Sequence, residues 1–114
     1  MTIEKTVIDW LSELLTASVA PEIPEGPPAE YVVVEKRGQY EENGLMTASV
    51  DVLSCAGSMV RVIELDAEVR AAMKRLPELK NISRCALENS YNDANRALRQ
   101  RQYRSEFEIC FKED

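Results

Sequence analysis

The sequence contains no histidine. That absence removes at once the commonest general base, the commonest transition-metal ligand and the usual partner of a serine or cysteine nucleophile. Cysteine is scarce. Cys55, Cys85 and Cys110 stand far apart, lack CxxC spacing and are too few for a disulfide framework. They read as buried, reduced residues of a core, with no metal and no cofactor to hold. No apolar run approaches the roughly 18 residues of a membrane span. The opening "MTIEKTVIDW" carries acids where a secretory signal carries a basic region. Positive charge is also in short supply: 14 basic residues face 20 acidic ones, for a net charge of −6. Indiscriminate binding to nucleic acid or anionic lipid is therefore disfavoured. These absences suggest a non-enzymatic protein at work in a cytoplasm.

What is present suits one globular domain over residues 1–114, with 45% hydrophobic and 30% charged residues. A chain of this size buries roughly two-thirds of its unfolded surface. In "TIEKTVIDWLSELLTAS", Val7, Trp10, Leu11, Leu14 and Leu15 follow helical spacing, Thr2 is placed as N-cap, and Trp10 is expected as the largest buried contact. Four of the five prolines crowd into "APEIPEGPP", which reads as a rigid connector inside the domain with room for a short edge strand around Ser18–Ile23. The unbroken run Tyr31–Val34 suits a strand covered on both faces. Gly38 and "ENGL" supply turn chemistry. In the return strand "LMTASVDVLSC", Met46, Ala48, Val50 and Val52 face a core, while Thr47, Ser49 and Asp51 face water or a partner.

A second helix opens at Ser58 and stops at Pro77, with Val62, Leu65, Val69, Ala72, Met73 and Leu76 inward. Arg61, Glu64, Glu68, Arg70, Lys74 and Arg75 form its solvated face, with Asp66 and Arg70 a favourable i,i+4 pair. Asn81–Tyr91 reads as a strand of blurred alternation and "NDAN" as a loop tip; residues 94–101 suit a hairpin arm, although their propensity also allows a helix. The last strand alternates well: Tyr103, Ser105, Phe107, Ile109 and Phe111 share one face, and Gln102, Arg104, Glu106 and Glu108 the other. The order α-(β)-β-β-α-β-β predicts an α+β fold, a small antiparallel-rich mixed sheet with two helices packed on it.

Three constellations bear on chemistry. The acids Glu25, Glu30, Glu35, Glu41, Glu42 and Asp51 punctuate loops and polar strand faces as solvated residues do, not as paired catalytic carboxylates. The arginines of "NRALRQRQYR" offer phosphate-binding forks, but no nucleic-acid-binding pattern accompanies them. An intersubunit ion-pair strip or a solvated hairpin suits them better. The prolines resemble a docking peptide in composition, yet they lie between a helix and a strand and not in a tail.

The order of elements carries a resemblance across nearly the whole chain. A starting helix leads to "ASVAPEIPEGPPAEYVVVEKRG", then to a turn and an alternating strand ending near "SCAGS", the helix "SMVRVIELDAEVRAAMKRLPEL" and a final hairpin ending "YRSEFEICF". This resembles the small tail-terminator, or tail-completion, proteins of long-tailed bacteriophages and prophages. The resemblance implies a small α+β domain that assembles as a ring, expected to be hexameric, on the head-proximal end of the tail tube. Such a ring stops tube polymerisation and joins tail to head by binding alone. It implies as partners further copies of the chain, the tail tube protein and a head-completion or connector protein. DNA would meet the ring only in passage, and no membrane is involved. The implied location is the bacterial host's cytoplasm during assembly, and then the virion tail. No active-site residues come with the resemblance.

Two surfaces are candidates for these contacts. Thr47, Ser49 and Asp51, extended by Tyr91, Arg99, Arg101 and Arg104, are expected at a subunit interface. Glu25, Glu30 and Glu41 are expected to face a channel, where negative charge limits sticking of DNA. The alternatives are another head–tail connector or minor capsid protein, a bacterial α+β module that binds protein, and a nucleic-acid binder using the arginines.

Overall fold

In the computed structural model, which describes residues 2–93 and 100–113, Thr2 caps the first helix, α1, over Ile3–Leu14. Its Oγ1 accepts from the Lys5 backbone N–H, satisfying one of the orphan donors of the first turn. A three-residue strand, β1 (Ser18–Ala20), ends before Pro21, so the edge strand is shorter than the sequence suggests. β2 (Tyr31–Glu42) and β3 (Leu45–Ala56) form a long hairpin closed by Asn43 and Gly44, both at positive φ. That two-residue turn matches the right-handed twist of the strands it joins. Gly38, expected to turn the chain, instead lies inside β2 beside a register shift between Lys36 and Gly38.

Ser58 caps α2 (Met59–Lys74), accepting from the Arg61 N–H at 3.2 Å, and Pro77 follows within a 3-10 turn at Leu76–Glu78. β4 (Ile82–Asn92) and β5 (Arg101–Phe111) complete a five-stranded sheet in the order β1-β2-β3-β5-β4. Among the described residues, only β1 and β2 are paired in parallel. The expected α+β class and element order are thus found. The blurred alternation of β4 also has a cause, because shifts between Ile82 and Arg84 and between Leu87 and Asn89 reset its period. Residues 94–99, which include Arg99 and most of the expected arm, lie outside the described residues.

Both helices bury their apolar stripes with one face of the sheet. Val7 and Leu11 of α1 and Leu65, Val69 and Met73 of α2 join Val32, Val50, Phe107 and Ile109 in one core cluster. Truncating a side chain such as Leu65 to alanine costs about 2–5 kcal/mol in sites of this kind. Trp10 is half-buried and not the largest core contact. Its indole N–H donates to the Ala72 carbonyl at 2.8 Å, and Arg75 stacks over its ring. The polar edge of the ring draws it to the seam between helices, where the last turn of α2 has carbonyls to offer.

The opposite face of the sheet corrects a second expectation. Tyr31, Val33, Leu53 and Cys55 form a separate buried cluster there, which explains why Tyr31–Val34 is apolar without interruption. On β3, Thr47 and Ser49 are half-buried and Asp51 is 0% exposed. This face is not an open polar surface along its whole length.

Candidate functional site

Asp51 lies at the middle of β3, where its side chain leaves the outer face of the sheet beside Glu35 of β2 and Glu106 of β5. A buried carboxylate is unfavourable unless charged donors reach it. Two do. Arg37 Nε donates to Oδ1 at 2.7 Å, and Arg104 Nη1 donates to Oδ2 at 2.6 Å. Arg37 stands at the register shift of β2, and a bulge of this kind re-aims a side chain. Arg104 also donates through Nε to Asp93 at 2.8 Å, and its Nη1 lies 3.6 Å from Glu35. Gln102 donates to the same Asp93 oxygen at 3.2 Å.

The arginines respond in kind. The Asp51 bond holds Arg37 more firmly protonated than usual. Burial opposes the charge of Arg104, but its bonds to Asp93 and Asp51 outweigh that cost and raise its pKa. Nearby, burial and then the bond to Glu106 push the Tyr91 phenol up. Asp51 and Asp93 thus take donors from Arg37, Gln102 and Arg104, while the Arg37 side chain remains 49% exposed.

A second buried carboxylate joins α2 to the sheet. Asp66 accepts from Ser105 Oγ at 2.6 Å, Ser90 Oγ at 3.1 Å and Arg70 Nε at 2.9 Å. A serine hydroxyl on a carboxylate invites comparison with a nucleophile. Ser105 is fully buried, however, and a substrate has no approach to it. The arrangement clamps α2 to β4 and β5.

The proline-rich loop is anchored at its end. Arg61 near the start of α2 donates through Nε and Nη2 to the two oxygens of Glu30, at 2.5 and 3.0 Å. These bonds hold the Glu30 carboxyl below its ordinary range. Gln100, just before β5, donates to the Pro28 carbonyl at 3.2 Å. The segment between Pro21 and Ala29 otherwise faces solvent, and Ile23 on it is 50% exposed.

A further feature is a groove of about 470 Å³ between α2 and the edge strand β4. Ala67 and Ala71 line it from the helix, Cys85 and Leu87 from β4, and Phe107 from β5. Its charged lining residues, Arg70 and Lys74, are both cationic. Burial pushes the Cys85 thiol up to about 12, so it stays protonated and unreactive at neutral pH. The groove continues an apolar line along the outer face of α2, where Val60 is 69% and Ile63 45% exposed.

The sequence-derived candidates are therefore scattered. Asp51 and Arg104 meet, but in a buried network instead of a free surface. Tyr91 is partly exposed and donates to Glu106, while Arg101 is exposed at the start of β5. Glu25 and Glu41 are exposed in different places, on the proline loop and on the β2–β3 hairpin, and Glu30 is committed to Arg61. The acids as a set are not uniformly solvated, since Asp51 is buried. Asp66 carried a readable signal, because it falls among Val62, Leu65 and Val69 on the core-facing side of α2. Val60, Ile63, Ala67 and Ala71 likewise recur at helical spacing on the opposite side.

No family model matches the chain, and neither does any curated protein. Its function has to be argued from its surfaces. Among the described residues, no group of three or more acidic or cysteine side chains is arranged to hold a metal ion. No helix among them is long and apolar enough to cross a membrane.

Proposed function

We propose that this is a phage or prophage structural protein that caps the tail tube at its head-proximal end, stops tube growth and joins tail to head as a ring. It acts by binding and carries out no reaction. The observation that carries this reading is the dissimilarity of the two sheet edges. At one edge stands the three-residue β1, followed by an exposed proline-rich acidic loop. At the other stands the eleven-residue β4 beside a groove with cationic lining. Ring closure requires a heterologous contact between two different patches on each subunit, and a chain with unlike edges offers such a pair. The resemblance in element order supports the same reading. The internal pairing of the Asp51 and Asp66 clusters favours a scaffold over a reactive centre.

The test is negative-stain imaging of purified protein mixed with tail tubes assembled from a long-tailed phage's major tail protein. Rings or caps at one tube end are expected. Tubes that keep growing with bare ends in excess protein would overturn the reading.

A further inference from the structure

The groove between α2 and β4 and the loop after β1 have complementary chemistry. The groove offers apolar walls of alanine and leucine, and Leu87 within it is 48% exposed. Arg70 and Lys74 line it, and among the described residues Arg70 bonds only Asp66, through Nε, leaving the rest of its guanidinium available to another acceptor. The loop offers Ile23 between two exposed acids, Glu22 and Glu25. Pro21 and Pro24 flank the isoleucine. They fix the backbone on both sides of it, so that little conformational freedom is lost on docking. The far end of the loop is already held by Arg61 and Gln100. Within one chain, Ile23 does not line the groove, and the loop leaves the sheet at the edge opposite β4.

We propose that the groove between α2 and β4 receives the Glu22–Glu25 segment of a second copy of this chain. Ile23 enters between Ala67, Ala71 and Leu87, and the two carboxylates face Arg70 and Lys74. Each copy gives its loop to one neighbour and receives a loop from another, so the contact propagates head to tail. The proposal deepens the ring reading and rests on it for the identity of the second chain.

One isoleucine and two exposed ion pairs make a weak contact in isolation. Closure of a ring makes the contacts act together, and the assembly is far tighter than any one of them. The test must therefore detect weak binding. Isotope-labelled intact protein is titrated with a peptide of residues 19–30, and with a scrambled peptide of the same composition, under nuclear magnetic resonance. Expected are shifts of the Ala67, Ala71, Cys85 and Leu87 amides with the native peptide only. Lys74→Glu, an exposed substitution that leaves the Asp66 clamp intact, is expected to weaken binding about tenfold through like-charge repulsion. Replacing isoleucine by aspartate in the peptide is expected to abolish the shifts. Shifts equal for both peptides, shifts confined to other surfaces, or none at millimolar peptide would overturn the contact. The outcome is separate from the tube assay. Peptide docking with bare tube ends would keep the contact and discard the tail-end reading. Capped tubes without docking would do the reverse.

Discussion

Arg104 reaches from β5 to within 2.6 Å of the Asp51 carboxylate, a group with no exposed surface, while Arg37 holds the other oxygen from β2. The sheet is thus cross-tied on its outer face by charge as well as by its ladder. Removing one partner leaves a buried charge short of a donor, which is far more damaging than removing both. Arg104→Met is expected to destabilise the fold by about 3 kcal/mol. The double change with Asp51→Asn should cost clearly less than the sum of the singles. Urea unfolding of the four proteins measures this coupling, and additive losses would count against it. A charge reversal at Arg104 would accordingly weaken assembly through the fold itself, whereas Arg101 is free to report on an interface.

Asp66 makes a parallel argument on the inner face. Its three donors come from β4, β5 and its own helix, so its loss loosens the helix from two strands at once. Asp66→Ala opens a small cavity and leaves the Ser90 and Ser105 hydroxyls with only each other, so one of the two donors loses its acceptor. A cost of about 3 kcal/mol is expected, or a melting temperature lower by about 10–15 °C. Asp66→Asn should fall between wild type and alanine, since the amide oxygen still accepts. A melting temperature unchanged in the alanine variant would show that the clamp is dispensable.

The Glu30–Arg61 pair predicts a dependence on pH. The folded pKa of Glu30 lies below that of an ordinary glutamate, chiefly because Arg61 donates to it. A depressed carboxylate favours the folded state above the unfolded pKa, and that contribution is lost as pH falls through the folded pKa. Glu78, held down by Arg75, acts in the same direction. Glu30→Gln should therefore unfold at lower urea than wild type near neutral pH, and the gap should narrow in acid below about 4.5. A gap independent of pH would mean that the ion pair contributes nothing through its charge.

How much of this was legible in the sequence depended on the range of the forces involved. Caps at Thr2 and Ser58, the Asn43–Gly44 turn and the alternation of β3 and β5 are local, and each was found where the residues put it. The two-sided burial of Tyr31–Val34 was legible too, because an unbroken apolar run has no wet face. The charge clusters were not. Asp51 follows the polar phase of its strand, and only the distant Arg37 and Arg104 turn that position into a buried one. The bulge that places Arg37 is marked by Gly38 alone, a residue equally at home in a turn. The second apolar line of α2 was visible in spacing, but the charges interleaved with it presented the face as solvated.

Two glycines that look alike in the sequence are expected to part company. Gly44 has φ of +80° in the hairpin turn, while Gly38 sits in β2 without a positive φ. Neither would meet a neighbour within 4 Å if given a Cβ, so space does not distinguish them. Conformation does. Gly44→Ala forces an L-residue into a left-handed geometry and should cost about 1–2 kcal/mol. Gly38→Ala keeps an allowed geometry, restricts the unfolded chain and should stabilise by about 0.5 kcal/mol. Equilibrium unfolding of both variants decides the matter. Equal losses would mean that Gly38 is needed for the bulge that aims Arg37 at Asp51, and the double change with Arg37→Ala would then be no worse than Gly38→Ala alone.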